Sequence, residues 1–377
     1  MTIKNITKLI NTFVIILLIL LLYPTQLLAD FRLHYNLDRP PAKNSKVYQL
    51  VDEKKLYLPE FYVKGIYVTG WVAGSEKISA LINLVDKTVL NTMVIDIKDQ
   101  LGHLSYKSNV PLAQEIGANR RKIKNIKALI DELHSRGIYV IGRIVVFKDA
   151  LLANKRKDLS LKLEQSDNTI IKSDNWVDPS QKEIWDYNLA LAREAVEIGF
   201  DEIQFDYIRY PALARKPYQA VVDKENKSQY INSFAQYVRD ELDLLNTPVS
   251  IDVFGLTTAV NDDLGIGQNF KELSNIVQII SPMVYPSHYS AGSYGIPVPD
   301  REPYQIIYKS LIDAQEKISD NSNVVIRPWL QDFSLGYKYS LKDVQEQIKA
   351  VEKLGLTEWL LWNPSSKYTI ETLLTHP

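Results

Sequence analysis

From Val63 onward the chain alternates short apolar, β-branched runs with amphipathic stretches eight times over. That count limits what it can fold into. The runs fall at residues 65–69, 92–98, 139–145, 202–207, 249–253, 277–284, 324–330 and 358–362. Helical patterns follow at 75–90, 122–136, 181–198, 229–245, 268–274, 303–318 and 341–354, with a closing turn around 368–374. Strands separated by helices pair in parallel through crossovers. Near-continuous apolar strands are those covered by helices. Eight such units predict an α/β fold of the closed (β/α)8 TIM-barrel type.

The connections are unequal. Helix-to-strand links are short, as at Gly199-Phe200 and Thr247-Pro248, whereas strand-to-helix links span 99–121, 146–180, 208–228 and 285–302. In such barrels the strand-to-helix loops build the face that carries chemistry.

Strand side chains alternate between lumen and helix layer. In the fourth strand Ile203 and Phe205 belong to the wall, so Glu202, Gln204 and Asp206 point inward. The same alternation turns Asp96 and Lys98 inward on the second strand, Arg143 on the third, and Ser250 and Asp252 on the fifth. Met283 and Tyr285 on the sixth strand and Arg327 and Trp329 on the seventh complete the set. Asp206 and Asp252 stand on consecutive strands, about 4.8 Å apart. Carboxylates there can reach the ~5–5.5 Å spacing of a retaining glycosidase, with the wider inverting spacing still open. One would attack the anomeric carbon and the other, protonated through burial, would supply the leaving group's proton. Asp99 and Asp332, on loops, are rival acids. Buried charges also have a plain structural use, here ion pairs of Asp96 with Lys98 or Arg143 and of Asp252 with Arg327.

Other chemistries find little support. There is no cysteine, which removes disulfides, thiol nucleophiles and Cys-bound zinc. A net charge of -1 leaves no nucleic-acid footprint. The five histidines form no zinc motif, although His103 and His288 both fall on loops of the expected active face. No cofactor is expected. The 22 tyrosines and 6 tryptophans suit sugar stacking as well as barrel packing.

At the N-terminus, Lys4 and Lys8 precede an apolar run and then Leu27-Leu28-Ala29. Residues 1–29 therefore read as a signal peptide, or as a membrane anchor through residues 9–28, which places the remainder in an exported, extracellular, periplasmic or cell-envelope setting. Residues 30–60 read as a linker or arm, and 61–377 as the catalytic domain.

Several blocks then become recognisable together: Val94 to Asp99, Arg143 to Asp149, Trp176 to Pro179, Gly199 to Pro211, Asp252 to Gly255, Ser281 to Tyr289 and Ile326 to Phe333. In this order the chain resembles, over about residues 61–370, the glycoside hydrolase family known as DUF4015. The resemblance implies a barrel glycosidase with Asp206 at the nucleophile position. Asp252 departs from the Glu usual on the fifth strand of amylase-like barrels. The expected activity is hydrolysis of a cell-envelope or extracellular polysaccharide or oligosaccharide by Asp206 and Asp252. Asp96, Lys98, Arg143, Gln204, Tyr207, Arg209, Tyr285, His288, Arg327, Trp329 and Asp332 would surround the substrate. A glycan-binding barrel without turnover, or a metal-dependent deacetylase using His103 and His288, are the alternatives.

Overall fold

The computed structural model describes residues 58–213, 218–221, 224–318 and 322–369. The expected leader, nearly all of the arm and most of the closing turn lie outside these residues. Strands β1 (Lys64–Val68), β2 (Thr92–Lys98) and β3 (Tyr139–Val145) open the barrel. Next come β4 (Ser160–Gln165), β5 (Ile170–Val177), β6 (Glu202–Asp206), β7 (Tyr218–Ala220), β8 (Val249–Phe254) and β9 (Ile279–Met283). Strands β10 (Val325–Ile326), β11 (Trp329–Gln331) and β12 (Trp359–Trp362) complete the series. The principal helices are α1 (Ile78–Asp86), α2 (Ile126–Ser135), α3 (Ala150–Lys155), α4 (Lys182–Ile198), α5 (Lys224–Asp243), α6 (Phe270–Ser274), α7 (Pro303–Lys317) and α8 (Leu341–Lys353).

The barrel order is β1-β2-β3-β6-β8-β9, then β10 and β11, then β12, which pairs back onto β1. All of these pairings are parallel. Pro328 has no N–H to give a ladder, and β10 and β11 are the two halves of one stave broken at Arg327-Pro328. The eight expected staves are thus all present. Closure leaves no open sheet edge in the barrel.

The long links after β3 and β6 hold structure that the expected helix periodicity did not anticipate. Strands β4, β5 and β7 form a small antiparallel sheet of their own. No described helix is long and apolar enough to cross a membrane.

The wall residues behave as their alternation requires. Ile95, Ile97, Ile203, Phe205, Ile251 and Val253 are fully buried against the helices. A second apolar cluster, which includes Tyr67, Val94, Ile141, Trp329 and Leu360, fills the lumen. Beneath it sits an ionic layer. Arg327 donates from Nη1 to Glu202 Oε1 and Oε2 at 2.8 and 3.0 Å, and from Nε to Glu358 Oε2 at 2.7 Å. Ser250 adds a hydrogen bond to Glu202 Oε1 at 2.5 Å. Arg327 and Glu202 are both completely buried. Burial raises the Glu202 pKa, against the lowering effect of Arg327. Arg327 is therefore a barrel plug and not a sugar contact, since its side chain is spent on two glutamates at the foot of the lumen.

Removing one member of a buried ion cluster strands the others in a poor dielectric. Arg327→Leu should lower the unfolding free energy by about 3–5 kcal/mol in urea titrations. Adding Glu202→Gln should restore part of that loss.

Candidate active site

Above the apolar layer the lumen turns ionic again, around a single guanidinium. Arg143 Nη1 donates to Asp96 Oδ1 at 2.6 Å. Its Nε and Nη2 both donate to Asp206 Oδ2, at 3.1 and 2.5 Å. Asp252 Oδ2 lies 4.0 Å from the same Nε. Three carboxylates from β2, β6 and β8 thus surround one cation supplied by β3. The register explains the convergence. Asp96 pairs with Arg143 and Arg143 with Gln204, while Phe205 pairs with Ile251, which brings Asp206 and Asp252 to one level.

Aromatic rings hold the guanidinium from the sides. Arg143 lies 5.5 Å from the Tyr67 ring centre and 5.1 Å from that of Trp362, and these two rings stack at 4.0 Å. The Tyr67 hydroxyl donates to Asp96 Oδ2 at 2.6 Å. Trp329 Nε1 donates to Asp252 Oδ1 at 2.7 Å. Tyr67 escaped the sequence reading, although a phenol on an otherwise apolar first strand was its available signal. Trp362 is half-buried where the lumen opens.

These partners set the protonation pattern. Burial pushes Asp252 well above the usual carboxylate range, and the nearby charge of Asp206 pushes it further, against the lowering effect of Arg143. Burial also raises Asp96, opposed by Arg143 and by the hydrogen bond from Tyr67. Burial works against the charge of Arg143, yet Asp206 and Asp96 outweigh it and the guanidinium is held firmly charged. Tyr285 is raised by burial and then by the charges of Asp252 and Asp206, which places its phenol beside the pair.

The backbone bends sharply at the end of β6. Tyr207 takes a φ of 54°, in the left-handed region that bulky residues avoid. Its N–H folds back onto Asp206 Oδ1 at 2.5 Å. Both oxygens of Asp206 are therefore held. Beyond the bend, Arg209 lies 4.9, 4.9 and 4.3 Å from the ring centres of Trp176, Tyr207 and Phe254.

A glycosidase barrel now matches on independent grounds. The family described as "Putative glycosyl hydrolase domain", DUF4015, matches residues 65–368. The chain belongs to this family. Its fold is also similar to that of the PgaB (BpsB) glycoside hydrolase domain from Bordetella bronchiseptica. That match has a TM-score of 0.60 and 10% identity, and covers 81% of this chain and 95% of that one. The spore cortex-lytic enzyme SleL of Bacillus cereus aligns with a TM-score of 0.50 and 11% identity, over 82% of this chain and 72% of that one. A chitinase from Chromobacterium violaceum ATCC 12472 gives 0.50 and 12%, over 81% and 95%. No curated protein matches the chain. At these identities the three structures speak for the fold, and family membership makes the protein a glycosyl hydrolase by class.

The site draws together Asp96, Arg143, Asp206, Asp252, Tyr285 and Trp329, with Tyr207 and Arg209 at the opening. Gln204 lies in the lumen, buried, with Nε2 3.5 Å from Ser281 Oγ. His288 packs against Tyr285 at 5.2 Å and Phe333 at 6.0 Å, and burial keeps its imidazole below the usual pKa.

Besides Arg327, two expected contacts lie elsewhere. Lys98 does not enter the lumen. The β2–β3 register slips between Asp96 and Lys98, which turns Lys98 into the helix layer, where it pairs with Asp149 at 2.9 Å and lies over the Tyr187 ring. Asp332 is buried too, and accepts from Thr369 N at 3.1 Å and Thr369 Oγ1 at 2.7 Å. It anchors the C-terminal segment. Asp99 is taken by Lys122 at 2.7 Å. The ion pair foreseen between Asp96 and Arg143 forms, whereas Asp252 meets Trp329 in place of Arg327.

His103 contacts Arg120, away from the neighbours of His288. Among the described residues no group of three or more His, Asp or Glu side chains is placed to hold a metal ion. A cleft of about 820 Å³ opens on the outer wall instead, bordered by Tyr106, Leu189, Arg193 and Tyr237. It has no part of the carboxylate cluster.

The raised pKa of Asp252 carries a stability consequence. A carboxyl whose folded pKa exceeds its unfolded value favours folding fully below the unfolded pKa, near 3.9, and loses that contribution as pH rises through the folded value. Asp252→Asn has no charge to desolvate. Its melting temperature should exceed that of the wild type by about 2–4 °C at pH 8 and show no gain at pH 4. Thermal scans at both pH values measure this.

Proposed function

We propose that the protein hydrolyses an O-glycosidic bond in a cell-envelope or extracellular polysaccharide, with Asp252 as the acid and Asp206 as the nucleophile. One observation carries this reading: two carboxyl groups from neighbouring strands face the Nε of Arg143, at 3.1 and 4.0 Å. Asp206 is bound by charge-assisted hydrogen bonds that favour its ionised form. Asp252 is held protonated by burial and by its neighbour. Two carboxyl groups pushed apart in this way divide the roles of acid and nucleophile.

In the first step the Asp252 proton passes to the leaving glycosidic oxygen while Asp206 bonds to the anomeric carbon. In the second, Asp252 as carboxylate takes a proton from water, and the water oxygen displaces Asp206. Adjacent strands and a shared guanidinium favour the close spacing of a retaining pair. Arg143 orients Asp206, and Trp329 orients Asp252. Trp362 and Tyr285 offer rings at the opening for the sugar.

The spore cortex-lytic enzyme and the chitinase, both named for polymeric glycan substrates, support a polysaccharide substrate. The basic, then apolar, N-terminal residues support export, by cleavage after Ala29 or by anchoring through residues 9–28. The near-complete burial of Asp252, 1% exposed, also suits a barrel that binds glycans without turnover.

The test uses residues 30–377 against a polysaccharide panel, with released reducing ends as the readout. Asp206→Asn and Asp252→Asn should each lower turnover by about a thousandfold or more. Activity of the wild type should fall as pH rises through the elevated pKa of Asp252. Wild-type rates in both variants would overturn the assignment, and glycan binding with no reducing ends would favour the binding barrel.

A further inference from the structure

Just outside the carboxylate cluster two cations stand together without an acidic partner. Lys148 Nζ lies 4.9 Å from the centre of the Tyr207 ring, and the Arg209 guanidinium lies at the same distance from that ring. Arg209 is only 8% exposed. Its one hydrogen bond to a described residue runs from Nη1 to the Tyr210 carbonyl at 2.9 Å. Its other N–H groups have no such partner, yet are not sealed from solvent. Among the described residues neither Lys148 nor Arg209 forms an ion pair.

This arrangement is costly as it stands. Burial, against the raising effects of Tyr207 and Asp206, brings the Arg209 pKa down to about 10. Lys148 is lowered by burial and then by the charge of Arg209. Aromatic faces return part of the cost of an unpaired buried cation, but not all of it. Asp206 raises the pKa of both cations from a distance, but forms no ion pair with either, and its oxygens already accept from Arg143 and the Tyr207 N–H. Elsewhere the fold pairs its buried cations: Lys98 with Asp149, Arg143 with Asp96 and Asp206, and Arg327 with Glu202 and Glu358. The exception sits at the mouth of the site.

Position adds to the case. Lys148 is fixed because the next residue, Asp149, is clamped by buried Lys98 and caps helix α3 through Leu152 N at 2.8 Å. Arg209 is fixed by rings from three elements: Trp176 on β5, Tyr207 after β6, and Phe254 on β8. An Arg held among three rings, with a Lys over one of the same rings, forms a receptor for an oxyanion.

We propose that Lys148 and Arg209 bind an anionic substituent of the glycan, so that the substrate class is an acidic polysaccharide whose carboxylate, phosphate or sulfate group sits at the rim while the scissile bond lies over Asp206 and Asp252. The proposal rests on the glycosidase reading for the second half of that statement and on the rim alone for the first. Arg209 offers a planar fork for a two-oxygen anion, and Lys148 a point charge beside it.

The test is equilibrium binding by calorimetry with the full mature chain. The probes are a galacturonate trisaccharide and galactose trisaccharides bearing one phosphate or one sulfate ester, each compared with neutral galactotriose. At least one anionic probe should bind about tenfold tighter than the neutral sugar at low salt, with the preference shrinking in 0.5 M NaCl. Lys148→Met, at a partly exposed position, should cut that preference severalfold and leave neutral-sugar binding unchanged. Arg209→Lys should weaken it further, and circular dichroism reports whether that variant is folded. Which probe wins identifies the anion. Equal affinity for all four sugars, or an anionic preference untouched by Lys148→Met, would overturn the proposal. Because binding is read and not turnover, this outcome is independent of the glycosidase reading, whose failure would show instead in the reducing-end assay.

Discussion

The upper half of the barrel depends on the charge of Arg143. Asp96, Asp206 and Asp252 project into a space where three ionised carboxylates could not coexist. One guanidinium neutralises two of them by direct hydrogen bonds and stands 4.0 Å from the third. The third is instead pushed upward in pKa by burial and by the charge of Asp206. The different settings of Asp206 and Asp252 thus arise from a shortage of positive charge.

The lower half uses the same chemistry to the opposite end. Arg327, Glu202 and Glu358 form a buried cluster in which one guanidinium is hydrogen-bonded directly to both glutamates. Between the two layers lie Trp329, Ile141, Leu360 and the other apolar lumen residues. An apolar layer of this kind separates the layer in which every carboxylate bonds directly to the guanidinium from the layer in which Asp252 does not.

Much of this was legible in the sequence. The eight staves follow from β-branched runs and short returns, and the inward aspartates from simple alternation on β2, β6 and β8. Alternation failed where the backbone departed from a plain strand. A register slip after Asp96 sent Lys98 the other way, and a turn beyond β11 sent Asp332 toward Thr369. Depth was also invisible. Arg327 and Arg143 read alike as inward arginines, and only the stagger of the staves separates plug from site. Tyr67, Trp362 and Lys148 were missed as neighbours because their partners come from strands distant in sequence. The small sheet was missed because its strands are polar and exposed along much of their length.

That small sheet has a bearing on how such a protein diverges. Strands β4, β5 and β7 pair only with one another, and none joins the staves. Trp176, which closes the ring around Arg209, belongs to it. Insertions and substitutions in this sheet can therefore reshape the rim without shifting the register that aligns Asp206 with Asp252. The aromatic rim around Arg209 and the staves that align Asp206 with Asp252 are separate parts of the fold.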